Sequence, residues 1–403
     1  MVQSVVPRAR LGPGAVLFTC LFAAQAALLV LSPILPQVAE EFGVSTATAA
    51  QLRSVSGITA GVVALVLATI GNRFRLSDLL NLGLLLLAVG SLASALAPTF
   101  AILLLAQIVI GLGLAAVLSG GLAASETWAV DGDSARVLSW ALVGQPVAWV
   151  VGQPLVGLVS GEDWRWAWVA VPFASAVLAL GAMAVRNRVI SDAGQECDPL
   201  GLWKQPGVRS WAVAELLAFA AWAGTLVYVG ALFIDSYAIS VGATGLILGL
   251  GALFYLPGNS LGRRLLGRGP GVLLIGFSLA AGAAVLALGT TRAGLALSVV
   301  VFSVSVFFAA GRTIAGAAMG LKLSDGRRLA AMSVRTATVQ FGYLLGAALG
   351  GVLLANWGFA GVGWGFGLLF AMSAAIHVPR VRSGERLESA VRFLRRRPAV
   401  SES

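Results

Sequence analysis

Few side chains in this sequence could do acid–base, metal or nucleophilic chemistry, and their placement argues against all three. His377 is the only histidine, so neither a histidine-based metal site nor a Ser-His-Asp triad can be assembled. No Gly-x-x-x-x-Gly-Lys-Ser/Thr loop is present to cradle a nucleotide phosphate. Asp131 and Asp133 alone do not supply the carboxylate cluster with which a membrane-embedded transferase would hold metal and phosphate. Cys20 lies in an apolar run and Cys197 in a polar one, and both read as structural. No enzyme activity, metal or cofactor is therefore expected. What remains is recognition. Arg312 sits deep in an apolar run, and ionisable groups in such runs are functional candidates by default. Arg53, Glu215 and Asp235 lie nearer run ends, where reaching toward the interface accounts for them more cheaply than function does. Near the middles of the runs stand Gln25, Gln145, Trp149, Trp222, Tyr228, Tyr255, Asn259, Gln340 and Tyr343. Packing accounts for any one of these, but together they offer aromatic surface and a few amides, which suits an amphipathic organic molecule. No carboxylate stands among them to neutralise a buried cation. Arg312 can grip an anionic group with two hydrogen bonds, so a neutral or anionic ligand is expected.

The elements that position these residues are membrane helices. Of the 403 residues, 58% are hydrophobic and 11% charged, against about 25% charged in a soluble domain. Apolar runs fall near 15–38, 47–70, 79–97, 101–125, 137–159, 166–186, 209–233, 242–262, 271–289, 293–320, 329–355 and 359–379. Each is near the length of about 20 residues that spans a bilayer, where only a helix satisfies its own backbone. The sequence predicts an all-α membrane protein of twelve spans in two bundles: 1–186, a linker 187–208, 209–379, and a basic tail 380–403. Arg8 and Arg10 ahead of the first run imitate a secretion signal, but Pro33, Pro36 and the many later runs favour a retained helix. The net charge of +10 is not gathered on one surface, which argues against nucleic acid. With the N-terminus inside, all 27 basic residues except Arg53, Arg165, Arg292 and Arg312 fall in cytoplasmic segments or adjoining helix ends, 23 against 4. That asymmetry predicts two cytoplasmic termini. Trp128, Trp140, Trp203 and Trp211 mark inner ends, and Trp164, Trp166, Trp168, Trp357 and Trp364 outer ones.

The halves echo one another. Phe42-Gly43-Val44-Ser45 before the second span resembles Tyr237-Ala238-Ile239-Ser240 before the eighth, and Arg136 before the fifth corresponds to Arg328 before the eleventh. Parallel six-helix repeats about an axis along the membrane normal are a transporter architecture. Leu35 to Ser45 and the loop Ala68-Thr69-Ile70-Gly71-Asn72-Arg73-Phe74-Arg75-Leu76 then carry a resemblance over nearly the whole chain to the major facilitator superfamily, in its bacterial twelve-helix drug and metabolite efflux branch. That branch's loop signature runs Gly-x-Leu-Ala-Asp-Arg-x-Gly-Arg; here Arg73 is kept and Asn72 replaces the aspartate. Gly111 and Gly113 match the fourth span, where Gln107 stands in place of an arginine, and Gly144-Gln145-Pro146 with Gly152-Gln153-Pro154 loosely match the fifth. The resemblance implies alternating access around a central cavity lined by the midplane set, and export of a drug or metabolite by proton antiport. It implies a small-molecule substrate, protons and the lipid bilayer as partners, and a monomer in the bacterial inner membrane. Gly71, Asn72, Arg73, Arg75, Glu126 and Arg335, with Asp78, are candidates for a cytoplasmic latch, and Glu215 and Asp235 for proton coupling. An uptake permease or a non-transporting sensor of the same fold stays open.

Overall fold

The computed structural model describes residues 11–70, 74–128, 134–185, 199–291, 293–324 and 328–395, with the side chains of most of them and none from 380 to 395. Ten helices are separate crossings: α1 Pro13–Glu41, α2 Thr46–Leu67, α3 Leu76–Ala95, α4 Phe100–Gly121, α5 Trp140–Val159, α6 Arg165–Ala184, α7 Val208–Tyr237, α8 Val241–Arg268, α9 Pro270–Thr290 and α10 Leu295–Leu323. An eleventh apolar stretch, Val334–Pro379, has 46 residues. At about 1.5 Å per residue that is twice the thickness of the hydrocarbon layer. Gly358, with φ 61° and ψ −159°, breaks it into α11 (328–357) and α12 (359–395). The described residues thus make twelve crossings. A short helix, Pro199–Trp203, precedes the second half.

Local sequence explains the joints. Ser45 caps α2 by accepting a bond from the Thr48 amide, and Ser240 caps α8 through the Ala243 amide. The residues two before these caps, Gly43 (φ 61°) and Ala238 (φ 51°), both turn through the left-handed region. The internal repeat seen in sequence is therefore a repeat of backbone shape. Pro33 inside α1 has no amide to offer the Leu29 carbonyl. The Gln153 amide of α5 donates to that carbonyl instead, at 3.1 Å, so the break in α1 ties two helices together.

The halves meet through equivalent pairs. α2 lies along α11, where Gly57 faces the backbone of Gln340 and Leu344. α5 lies along α8, where a Cβ on Gly157 would stand 2.9 Å from Gly245 Cα. α1 crosses α7 at Ser32 and Gly230. The α5–α8 and α1–α7 approaches lie toward the membrane face opposite the termini, called here the distal face. Nearer the terminal face, α5 leans on α1 at Gly144 and Phe18, and α8 leans on α10 at Gly258 and Phe307. On the distal face an ion pair of Arg165 with Glu41 at 2.6 Å joins the end of α1 to the start of α6. Trp140, Trp166, Trp357 and Trp364 are exposed at helix ends, as an interfacial belt requires. Trp128, Trp164, Trp168 and Trp211 are buried instead, so these four pack within the protein.

Candidate functional site

Two groups of buried polar residues occupy the interior, at different depths. The first lies in the terminal-side part of the second bundle. Glu215 on α7 is fully buried and pairs with Arg312 of α10 at 2.6 Å and with Arg335 of α11 at 3.4 Å. Both guanidiniums also lie over the Phe219 ring, at 5.5 and 5.4 Å. Gly316 makes room, because a Cβ there would collide with the Glu215 carboxylate. Arg335 donates to the Thr313 carbonyl at 3.3 Å, and the Tyr255 hydroxyl lies beside the Thr313 side chain. One carboxylate between two arginines leaves this cluster with a formal charge of +1, held within one half of the molecule.

The second group surrounds a cavity of about 10 Å³ at the junction of the halves, room for about one water molecule. The first half contributes Leu28, Leu31 and Ser32 from α1, Arg53 from α2 and Trp149 from α5; the second contributes Leu226 and Val227 from α7 and Tyr343 from α11. Arg53 is only 3% exposed and stacks on the Tyr343 ring at 4.3 Å. The Gln25 side chain of α1 stands beside the Tyr343 hydroxyl.

The midplane residues singled out from sequence separate accordingly. Gln25, Trp149 and Tyr343 come together at the central cavity, with Tyr228 close by on α7, its hydroxyl donating to the Ala347 carbonyl of α11 at 2.6 Å. Gln340 is 1% exposed, and neither end of its amide has a partner. Gln145, Trp222, Tyr255 and Asn259 are half-buried. Arg312, expected to reach for ligand, is engaged by Glu215. Glu215, placed near a span end and within reach of the interface, is completely enclosed. Asp235 is exposed, two residues from the end of α7. Of the latch candidates, Arg335 faces Glu215 inside its own half, Arg75 and Asp78 are exposed, and Gly71, Asn72, Arg73 and the Glu126 side chain lie outside the described residues.

Arg53, like Glu215, is a residue that sequence reasoning misjudged. It is seven residues past the start of α2, about 10 Å along the helix axis, which in one dimension looks like snorkelling distance. The tertiary fold places α11 over that face, so the side chain meets Tyr343 rather than lipid headgroups. Its neighbours Gln51 and Ser54, which bond the Ala347 and Leu344 carbonyls of α11, are the polar stripe that could have signalled a protein-facing surface.

Twelve helices in two pseudo-symmetric bundles around a cavity lined from both define the architecture of a secondary transporter. A family profile described as Major Facilitator Superfamily matches residues 17–304 and 211–401, and the chain belongs to that family, whose members are transporters rather than enzymes. The fold is similar to the crystal structure of a bacterial homologue of the human lysosomal transporter Spinster in an inward-facing and occupied conformation. That likeness has a TM-score of 0.75 at 14% identity, covering 91% of this chain and 96% of that one. A D-xylose–proton symporter is similar with a TM-score of 0.71 at 15% identity, over 90% and 95% of the two chains.

Proposed function

We propose that the protein exports a small amphipathic organic molecule across the bacterial inner membrane by alternating access, with protons as the counter-ion and Glu215 as their carrier. The observation that carries this reading is the central cavity, to which both halves contribute side chains. A rocking of one half against the other would expose it alternately to the two faces. At about 10 Å³ the cavity is too small for any organic substrate, so loading requires the seam to part. Gly157 and Gly245 permit the distal seam to close backbone against backbone.

Glu215 is favoured over Asp235 as the coupling group because it is enclosed and held by charges on two other helices, so a change in its protonation alters the packing of α7, α10 and α11 together. Asp235 is exposed beside the distal face and, among the described residues, forms no ion pair. The cytoplasmic placement of the termini rests on the 23 of 27 basic residues that fall on that side. The latch at Gly71–Arg75 and the division at 186, 208 and 379 belong to the same proposal. The protein acts as a monomer in this reading, since the cavity is completed by one chain.

Inverted membrane vesicles test it. Imposed acid-inside gradients should drive uptake of an exported aromatic substrate, and Glu215→Gln should remove the gradient dependence while sparing substrate-for-substrate exchange. Gradient-driven uptake in right-side-out vesicles alone would instead identify a permease that imports.

A further inference from the structure

We infer that Arg53 is the anion-binding residue of the central cavity, and that the substrate carries a carboxylate or similar planar anionic group on an aromatic or apolar body. The inference rests on the transport reading above and names the class of molecule that this site takes.

The argument begins with the guanidinium's own hydrogen bonds. Arginine carries five N–H donors in a rigid plane. In Arg53 the Nη1 group donates to the Ser56 hydroxyl at 2.6 Å, and the face of the plane rests on Tyr343. The Nε and Nη2 atoms are buried and have no partner. Those two nitrogens form one edge of the fork, the edge that matches the two oxygens of a carboxylate. The edge left open is thus a complete bidentate site. A third unpartnered polar atom, the Ser32 hydroxyl oxygen, belongs to the same cavity.

Charge bookkeeping among the described residues points the same way. Glu215 is taken by Arg312 and Arg335, Glu41 by Arg165, and Asp235 is exposed near the distal end of α7. Arg53 forms no ion pair with any described residue. Leaving a cation buried and unpaired is costly, and one aromatic face offsets only part of that cost. An anion entering the cavity would recover the remainder, whereas a cation would add to it. Trp149, Leu28 and Leu226 line the same space, which fits a flat or apolar body beside the anionic group. Arg312 does not play this part, because its charge is already met.

The probes for a binding test are 2-naphthoate, its neutral amide 2-naphthamide, and the cationic 2-naphthylmethylamine, measured by equilibrium dialysis against the full-length protein in nanodiscs. Wild-type protein should bind naphthoate at least about ten-fold more tightly than the amide, and the amine least. Arg53→Gln should erase that preference, and Arg53→Lys should restore part of it, since an ammonium supplies charge but no fork. Arg165→Gln, on the distal surface, should keep the preference. Equal binding of naphthoate and naphthamide to wild type, a preference that survives in Arg53→Gln, or no binding of either at millimolar concentration would overturn the inference. The wild-type comparison decides the question even where Arg53→Gln does not fold. Naphthoate bound through Arg53 but not moved in proteoliposomes upholds this inference and rejects the transport reading. Gradient-driven transport with charge-blind binding does the reverse.

Discussion

The charge cluster on α7, α10 and α11 makes a sharp prediction, because its three members are not equivalent. Removing one partner of a buried ion pair costs about 3–5 kcal/mol when the other is left uncompensated. In Arg312→Gln, Glu215 is not left alone. Arg335 stands 3.4 Å away against 2.6 Å for Arg312, and because attraction falls as the inverse of distance it retains about three-quarters of the original pull. The cluster goes from +1 to neutral. Arg312→Gln should therefore cost about 2 kcal/mol, below the range for a stranded charge. Glu215→Gln is the opposite case. Two guanidiniums then share the Phe219 face with no anion, the charge rises to +2, and the full cost of about 3–5 kcal/mol is expected. The double variant Glu215→Gln with Arg312→Gln returns the charge to +1, and should be less damaging than the sum of the singles by about 1–3 kcal/mol. Unfolding in nanodiscs, followed through tryptophan emission with Trp211 as a neighbouring buried reporter, supplies the ordering. A Glu215→Gln variant no less stable than Arg312→Gln, or a strictly additive double variant, would refute the claim that one carboxylate balances both arginines.

Three further outcomes follow from the fold. Ala238 holds a left-handed conformation at φ 51° on an exposed turn, so Ala238→Gly should stabilise by about 1 kcal/mol; an unfolding midpoint that falls would contradict this. Gln153→Leu removes the donor to the Leu29 carbonyl and should destabilise by about 1–3 kcal/mol through an unsatisfied buried acceptor, with Gln153→Glu no rescue because it cannot donate when ionised. Gly245→Val places a branched side chain against Gly157 and should hold the distal seam apart. A cysteine introduced at Ser32 should then label more readily from the distal side while transport falls, and unchanged labelling would show that the two glycines do not control closure.

How much of this was legible in the sequence depends on range. Span number and order followed from apolar length, since a bilayer demands about 20 apolar residues per crossing whatever the neighbours are. Even the hairpin between α11 and α12, helical on both sides of Gly358, is forced by a 46-residue apolar stretch. The left-handed turns before α2 and α8 were visible as the paired Phe42–Ser45 and Tyr237–Ser240 segments, because caps and turns are set by adjacent residues. Trp149 and Tyr343 were singled out by their depth and by the family resemblance, and both stand against the same small cavity, with Gln25 beside Tyr343.

The pairing of charges was decided only by tertiary structure. Depth along a helix says how far a side chain stands from water, but not whether its azimuth meets lipid, a cavity or an opposite charge. Glu215 and Arg312 are 97 positions apart and Arg53 and Tyr343 are 290 apart, so no local pattern links them. The sequence by itself determined that these groups lie within a low-dielectric slab, where each needs a partner. Helix rotation and packing then assigned the partners: Arg312 and Arg335 to one carboxylate, and Arg53 to an aromatic face with its carboxylate-matching edge left open.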